Sequence, residues 1–341
     1  MMRAAIAAIV VSLSLANSAL AQRVNISNES SGTRFHLGGR TWISLPSDRK
    51  YIQHRHWTRS NAGGQVDLEV RPYNVLYLQS ESAESQVFLS EGACSFYQNI
   101  GGAIQLHPSN AATRSCSIYT STALVVPNGT ALFVIVTPEG TATRQGTFVG
   151  VLSNSATVTA LDGVTISEDN TIDATGVGAT VEVEAGQLAF ASIEGTVDVL
   201  GEFSLREFHE SNLRSRGLGP EDADTAYINQ LESEYSQRIY QAVREETIAA
   251  ILEQEERNPF INEELPTIDE LLDQFPNGND DFDGDLNSEL GDVQQTGEGP
   301  GDPGNGPVDE PVDEPVDEPV DEPVGIVNDP PNQEPVQNIL E

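Results

Sequence analysis

The chain has 341 residues, only two of them cysteine, and a formal net charge of −36 at pH 7. The charge is uneven, because residues 220–341 hold three basic and 34 acidic side chains. Such a polyanionic segment repels nucleic acid and acidic membrane surfaces, which excludes nucleic acid as a partner and leaves basic partners or divalent cations.

The first 21 residues have the pattern of a secretory signal peptide. Arg3 precedes an apolar run from Ala4 to Leu20, and Ala-Leu-Ala at 19–21 matches a small-residue cleavage site. Serine and asparagine interrupt the run, so a permanent membrane anchor is the weaker interpretation. We expect cleavage after Ala21 and a periplasmic or extracellular mature chain that is not an integral membrane protein.

Short runs of apolar and β-branched residues fill the region from Trp42 to Leu200. Residues 65–70 alternate polar and apolar without interruption, which predicts a half-buried strand. Turns are expected at Gly101-Gly102 and at Asp162-Gly163. Further strands are predicted at 75–78, 87–89, 104–106, 131–136, 147–152 and 180–183. This spacing predicts an all-β fold, a β-sandwich, jelly roll or β-roll, for a domain of residues 22–219.

Helix signals follow the strands. Ser204-Leu205-Arg206-Glu207 has the form of a capping box, so a short helix over about 204–214 is expected to close the open edge of the β domain. Residues 220–276 form a predicted helical segment, with an amphipathic helix from Glu221 to about Arg257. Its apolar stripe must pack on the β domain, on a partner or on a second copy, the last being self-association through residues 228–243. The stripe consists of Ile228, Leu231, Tyr235, Ile239, Ala242 and Val243.

A second capping box and a long acidic tail end the sequence. Thr267-Ile268-Asp269-Glu270 predicts another short helix. Residues 277–341 are rich in Asp, Glu, Gly, Pro and Asn, so they bury too little apolar surface to offset chain entropy and are predicted to be disordered. Four PVDE repeats from Pro307 to Glu322 favour an extended spacer. The competing interpretation is a repetitive, low-affinity site for cations or a partner.

Cys94 and Cys116 are the only cysteines. An even number in an exported chain favours one disulfide, whereas two free buried thiols are the alternative. The C-x-x-C spacing typical of redox enzymes and zinc sites is absent.

Several strings share order and spacing with one known domain family. They are Ser-Ile-Tyr-Thr at 117–120, Gly-Thr-Ala-Leu-Phe-Val at 129–134, Val-Leu-Ser-Asn-Ser at 151–155, Ala-Gly-Gln at 185–187, and a closing string that begins at 202 and ends at 218. Together they resemble the FecR-type (ferric-citrate regulator-like) periplasmic domain, most of all its cyanobacterial, signal-peptide-bearing branch. The residues that carry the family motif are Gly129, Thr130, Ala185, Gly186, Gln187, Arg206 and Phe208.

The resemblance implies an all-β fold. It also has departures, because Asn128 stands where the family has arginine. Iron-signalling members place a cytoplasmic segment and a membrane span before this domain, whereas only Met1 to Arg3 precede the expected signal peptide here. Direct control of a cytoplasmic sigma factor is therefore not expected.

Two groups of residues are candidate metal ligands. An acidic stretch follows the start of a calcium loop, with a glycine, Gly284, at the sharp turn, but the final glutamate falls one residue early at Glu289. His54 and His56 would share a strand face and could bind zinc or copper, although no third ligand is evident. The candidate calcium ligands are Asn279, Asp281, Asp283, Asp285 and Asn287; otherwise no cofactor is expected.

No nucleophile, zinc-protease, phosphate-loop or dinucleotide motif occurs in the sequence, and we expect a protein that is not an enzyme. The preferred interpretation is a FecR-like interaction module that binds a protein or another envelope component. One alternative is an extracytoplasmic sensory regulator that acts through a membrane partner. Another is a calcium-responsive surface protein.

Overall fold

The computed structural model describes residues 23–213, apart from 39–40, 47–48, 63, 91, 112–113, 138–144 and 168–171, together with 218, 222–257, 265–268, 270 and 271; the side chains of 222–224 are not described. The described residues form sixteen strands: β1 (Arg23–Glu29), β2 (Thr33–His36), β3 (Tyr51–Gln53), β4 (Trp57–Ser60), β5 (Val66–Val70), β6 (Val75–Gln79), β7 (Glu84–Ser90), β8 (Ala93–Leu106), β9 (Ser117–Tyr119), β10 (Ala123–Asn128), β11 (Ala131–Thr137), β12 (Gly146–Val151), β13 (Ser155–Ile166), β14 (Ile172–Glu184), β15 (Gln187–Ser192) and β16 (Val197–Glu202).

The strands form two layers that share β8. The order in the first sheet is β3-β1-β5-β6-β8-β11-β12-β15-β16. The order in the second sheet is β2-β4-β7-β8-β9-β10-β13-β14. Among the described strands, only β8 and β9 run parallel. This two-layer architecture confirms the predicted all-β fold class.

Strand β8 passes from one sheet to the other at a bend. Residues 93–100 pair with β7 in the second sheet, and residues 101–106 pair with β11 in the first. Gly101 has a φ of +71°, and a Cβ there would lie 2.7 Å from the Ala83 Cα. The turn predicted at Gly101-Gly102 is therefore wrong, because the glycines bend one continuous strand. Asp162-Gly163 likewise lies inside β13.

Two apolar cores cover the two faces of the first sheet. On β11, Val134 enters the core between the sheets, whereas its neighbour Phe133 enters the core beneath the helices. The core between the sheets includes Tyr77 stacked on Phe96, with ring centroids 3.9 Å apart. Strand β5 is consequently buried at every position, so the prediction of a half-buried strand at 65–70 is wrong. The polar side of that strand is covered by a helix.

Three helices follow the strands: α1 (Leu205–Phe208), which continues as a π-helical turn over His209–Leu213, α2 (Asp222–Gln230) and α3 (Glu234–Arg257). The single helix predicted from Glu221 to Arg257 is thus interrupted. Ser233 begins α3, because its carbonyl accepts the Gln237 N–H at 2.9 Å and its hydroxyl accepts the Ser236 N–H at 3.4 Å.

The apolar stripe of the helical segment packs on the first sheet. Ile228, Tyr235, Ile239 and Val243 are each at most 9% exposed and belong to the core beneath the helices. Because the chain's own sheet covers the stripe, the expectation of self-association through residues 228–243 is wrong.

Helix α1 lies on the face of the first sheet rather than at its open edge, so the predicted edge closure is wrong. Phe208 stacks on Phe133 with ring centroids 4.9 Å apart. The Ser204 hydroxyl accepts the Glu207 N–H at 3.2 Å, but the Ser204 N–H donates to the Pro266 carbonyl at 3.1 Å, so only half of that capping box forms.

The capping box at Thr267 forms completely. The Thr267 N–H donates to Glu270 Oε2 at 2.8 Å, and the Glu270 N–H donates to the Thr267 hydroxyl at 3.1 Å. The acidic tail predicted over 277–341 lies outside the described residues. No helix in the described part of the chain is both long and apolar enough to cross a membrane.

Candidate binding face

The Gly129-Thr130 motif lies in a network that attaches α3 to the strands. Glu246 of α3 accepts hydrogen bonds from the Ser109 N–H and hydroxyl, at 2.8 and 2.7 Å, and from Asn154 Nδ2 at 3.3 Å. Asn154 Nδ2 also donates to the Gly129 carbonyl at 2.7 Å. The buried Thr130 hydroxyl donates to the Ser153 carbonyl. The motif therefore links two loops to the helix.

The turn at 185–187 is built around the buried amide of Gln254. Gln254 Nε2 donates to the Phe203 carbonyl at 2.9 Å, and its Oε1 accepts the Leu205 N–H at 3.0 Å. Gly186 has a φ of +83°, and a Cβ there would lie 2.5 Å from Gln254 Nε2. Gln187 Oε1 accepts the Glu184 N–H at 3.0 Å, which closes the turn.

Arg206 and Phe208 complete this assembly. Arg206 Nε donates to Glu255 of α3 at 2.5 Å, and this hydrogen bond is the first cause of the lowered pKa of the Glu255 carboxyl. Phe208 packs on Phe133 and Phe203. Most of the residues that carry the FecR-type resemblance thus contribute to one structural role, the attachment of α1 and α3 to the first sheet.

An acidic cleft opens beside α3. Glu182 and Glu184 of β14 line it with Glu246 and Glu253 of the helix, and Arg257 lies at its end. Within the described residues, no group of three or more His, Cys, Asp or Glu side chains is arranged to hold a metal ion. The candidate calcium ligands Asn279 to Asn287 lie outside the described residues.

His54 and His56 lie in the turn between β3 and β4, and the prediction that they share a strand face is wrong. Arg55 between them has a φ of 72°, which reverses the chain. His54 Nδ1 accepts the Leu89 N–H at 2.8 Å, and His56 Nδ1 accepts the Gln53 N–H at 3.0 Å. Burial, and then Arg49, lowers the pKa of His56 to about 4. One nitrogen of each ring is therefore used to hold the turn.

Cys94 and Cys116 lie at disulfide distance, and neither is a free thiol. Cys94 lies near the start of β8, and Cys116 immediately precedes β9. The pair thus joins the two parallel strands of the second sheet, as the even cysteine count predicts.

A row of side chains crosses the outer face of the second sheet, which faces away from both cores. Strand pairing places each member opposite the next: His36 opposite Trp57, Trp57 opposite Gln86, Gln86 opposite Tyr97, Tyr97 opposite Tyr119, and Tyr119 opposite Leu124. The neighbours of these residues along each strand, such as Phe96 and Ile118, enter the core, so alternation directs the row outward. We call these six residues the outer row. Six adjacent strands give it a length of about 24 Å.

The centre of the outer row is aromatic and covers a buried amide. The rings of Trp57 and Tyr97 meet edge to face, with centroids 6.0 Å apart, and both side chains are half-buried. Gln86 between them is 7% exposed. Its Nε2 donates to the Arg55 carbonyl at 2.8 Å, which fixes the orientation of the amide. Gln86 Oε1 has no hydrogen-bond partner among the described residues.

The second tryptophan lies beside this row. Trp42 lies 5.7 Å from the His36 ring, and the Arg59 guanidinium lies over the Trp42 ring at 4.2 Å from its centroid. Arg59 Nε donates to Glu84 Oε2 at 2.7 Å, and Asn99 Nδ2 donates to Glu84 Oε1 at 3.3 Å. This part of the face therefore carries planar polar groups beside half-buried rings.

Charge changes sign along the same face. At the β2–β4 end, Arg34 and Arg59 accompany the outer row, and Arg55 lies in the adjoining turn. Two acidic side chains lie near them: Glu84 is paired with Arg59, and Glu29 of β1 interacts electrostatically with Arg34. At the β14 end, Glu182 and Glu184 are exposed. The aromatic half of the face is consequently the basic half.

Sequence reasoning missed the outer row. Tyr97 and Tyr119 directly follow the core residues Phe96 and Ile118, and Trp57 directly precedes the buried Thr58. Such alternation is a detectable signal for an outward aromatic side chain. Strand order and register, which bring His36 beside Trp57, are set by long-range pairing and leave no local pattern.

No protein-family model matches the chain. No curated protein sequence is significantly similar to it. The FecR-type resemblance stays a prediction.

Proposed function

We propose that this chain is an exported, non-enzymatic binding module of the cell envelope, and that the outer row is its binding surface. The supporting observation is that both tryptophans of the chain, together with Tyr97 and Tyr119, lie half-buried on one sheet face. Tryptophan and tyrosine carry much of the binding energy at recognition surfaces. Clusters of such side chains on a protein surface usually mark an interaction site.

The support behind the outer row suits a binding surface. The second sheet packs on a core that the first sheet shares, and α3 braces the far side of the first sheet. A face on such a rigid scaffold is formed before the ligand arrives, so less side-chain and backbone entropy is lost on binding. The location of the protein in the cell envelope follows from the expected signal peptide.

The proposal is tested by sedimentation of the mature chain, residues 22–341, with insoluble envelope material from its source cell. We expect the double variant Trp57→Ala/Tyr97→Ala to bind at least tenfold more weakly than the wild type, because each change removes an aromatic ring from the proposed surface. Tyr51→Ala is the matched control, since Tyr51 is a half-buried aromatic residue of the first sheet. Equal sedimentation of the wild type and the double variant would contradict the proposal.

A further inference from the structure

The outer row combines two kinds of group that glycans require. Sugar rings present apolar C–H faces, which pack on aromatic rings, and Trp57, Tyr97 and Tyr119 supply those rings along one line. Sugar hydroxyls need planar amide, carboxylate or guanidinium partners, and Gln86, Asn99, Glu84 and Arg59 supply these at the same end of the sheet. An open face about 24 Å long suits an extended ligand rather than a compact one.

Gln86 is an independent observation that indicates a ligand. A buried acceptor without a hydrogen bond destabilises a folded protein, and native structures rarely keep one without a reason. Several buried side-chain atoms lack a hydrogen-bond partner among the described residues, Gln105 Oε1 and both ring nitrogens of His209 among them; Gln86 Oε1 is the one that belongs to the outer row, with Trp57 and Tyr97 on the strands at either side. The two rings meet across this strand with centroids 6.0 Å apart, so a hydroxyl donor that reaches Oε1 must displace one of them. A sugar whose C–H face stacks on one of these rings would bring a hydroxyl close enough to provide the missing hydrogen bond.

The positive charge of the aromatic half of the face favours anionic glycans over neutral ones. Arg34 lies on β2, Arg55 in the turn before β4 and Arg59 on β4; against these three cations stand Glu84, which is paired with Arg59, and Glu29, which interacts electrostatically with Arg34. The net charge around the aromatic rings is therefore positive, whereas the whole chain carries −36. A local cationic surface on a strongly anionic protein indicates an anionic ligand, since it attracts that ligand while the rest of the chain repels it.

We propose that the outer row binds an extended acidic glycan, a polysaccharide whose repeating unit carries carboxylates. The rings of Trp57 and Tyr97 stack on its sugar rings, Gln86 Oε1 accepts from a hydroxyl, and Arg34 and Arg59 face its carboxylates. This inference rests on the proposed envelope-binding function, and it names the chemical class of the ligand.

The test titrates the full mature chain with a hexamer of galacturonate and, separately, with a neutral hexamer of maltose type. Trp42 and Trp57 are the only tryptophans in the chain, so intrinsic fluorescence reports directly on this face. We expect the acidic hexamer to change the fluorescence and to bind at least tenfold more tightly than the neutral one. Affinity should fall as salt rises, because the carboxylate contacts are screened.

Variants locate the site. Tyr97→Ala and Gln86→Leu should each weaken binding of the acidic hexamer several-fold, and Arg34→Gln should reduce the preference over the neutral hexamer. Tyr51→Ala, on the other sheet, should bind as the wild type does. Calorimetry measures the affinity of the Tyr97 and Tyr119 variants for the acidic hexamer independently of tryptophan fluorescence. Thermal unfolding establishes that each variant is folded. A second ring variant, Tyr119→Ala, serves if Tyr97→Ala does not fold.

The two experiments distinguish failure of the glycan inference from failure of the proposed function. Equal affinity for the two hexamers, no binding of either, or binding that is unaffected by Tyr97→Ala and Tyr119→Ala would overturn the inference. If neither hexamer binds while envelope sedimentation still depends on Trp57 and Tyr97, the glycan inference fails and the proposed function remains. If sedimentation does not depend on those residues, the proposed function fails as well.

Discussion

The Glu69 carboxylate accepts a hydrogen bond from the Ser236 hydroxyl at 3.0 Å, and this contact attaches the first turn of α3 to β5. Glu69 is 1% exposed, and its other oxygen accepts two hydrogen bonds from Arg71, at 3.0 and 2.8 Å. The Ser233 hydroxyl donates to the same Glu69 oxygen as Ser236 does. A carboxylate at this position also interacts favourably with the positive end of the helix dipole. The polar side of β5 is therefore the anchor of the helix layer.

Replacement of Glu69 should destabilise the whole domain. Glu69→Ala removes four hydrogen bonds to a charged acceptor and leaves Arg71 and two serine hydroxyls without it, so we expect a loss of about 2–3 kcal/mol in the free energy of unfolding. Glu69→Gln keeps acceptor capacity and should lose less. Chemical denaturation measures both, and Glu234→Ala, an exposed acid in the same helix turn, should stay within ~0.5 kcal/mol of the wild type. A Glu69→Ala value as small as that control would contradict the anchoring role.

Gly186 should tolerate alanine less well than another glycine with the same backbone conformation. Gly186 and Gly38 have φ values of +83° and +84°, but a Cβ at Gly38 meets no atom of the described residues within 4 Å, whereas at Gly186 it meets Gln254. Both substitutions incur the left-handed strain of about 1–2 kcal/mol. Gly186→Ala should cost at least ~1 kcal/mol more, because Gln254 must give up hydrogen bonds to make room. Equal losses in thermal or chemical unfolding would show that Gln254 adjusts freely.

The sequence predicted the parts of the fold that depend on local patterns. Residues 131–136 and 75–78 form strands because their β-branched and apolar composition suits a sheet, whichever neighbours they have. Ser233, in contrast, interrupts a strongly helical segment because it caps α3 and bonds to Glu69, a residue 164 positions earlier. Such a long-range contact cannot be predicted from the spacing of apolar residues along the helical segment.

The burial of β5 and the outer row eluded prediction for the same reason. Alternation at 65–70 correctly indicated two different faces, but only the position of α3 decides that the polar face is buried. The motif at 185–187 was visible as a string, yet its physical meaning, a turn built around Gln254, depends on a helix far along the chain. Local pattern therefore predicts the element, and tertiary pairing decides what each face contacts.

Loss of the link between Cys94 and Cys116 should lower stability without changing the fold. The link closes a loop of 22 residues, and in the loop-entropy account it contributes roughly 3 kcal/mol by restricting the unfolded chain. The double variant Cys94→Ala/Cys116→Ala should therefore show that loss in chemical denaturation, with an unchanged circular dichroism spectrum. Addition of a reductant should lower the stability of the wild type and leave the variant unaffected. A reductant effect of equal size on both proteins would contradict this assignment.

His209 should make the domain less stable in acid. The side chain is fully buried in the turn after α1, and burial lowers the pKa of its imidazole from 6.5 to about 3. Neither ring nitrogen has a hydrogen-bond partner among the described residues. The unfolded chain binds a proton near pH 6.5 and the folded chain does not, so stability is complete above that pH and falls progressively towards pH 3.

The variant His209→Leu removes this linkage. Between pH 7 and pH 4.5, the wild type should lose about 2.5 kcal/mol more of its unfolding free energy than the variant does. His54 and His56 also have lowered pKa values, but they are present in both proteins and cancel in the difference. Urea denaturation at half-unit pH intervals measures the two curves. Parallel curves would mean that His209 gains a proton in the folded state as readily as in the unfolded chain, whereas a larger loss of the wild type as the pH falls, whichever protein is more stable at pH 7, identifies its burial as a source of acid sensitivity.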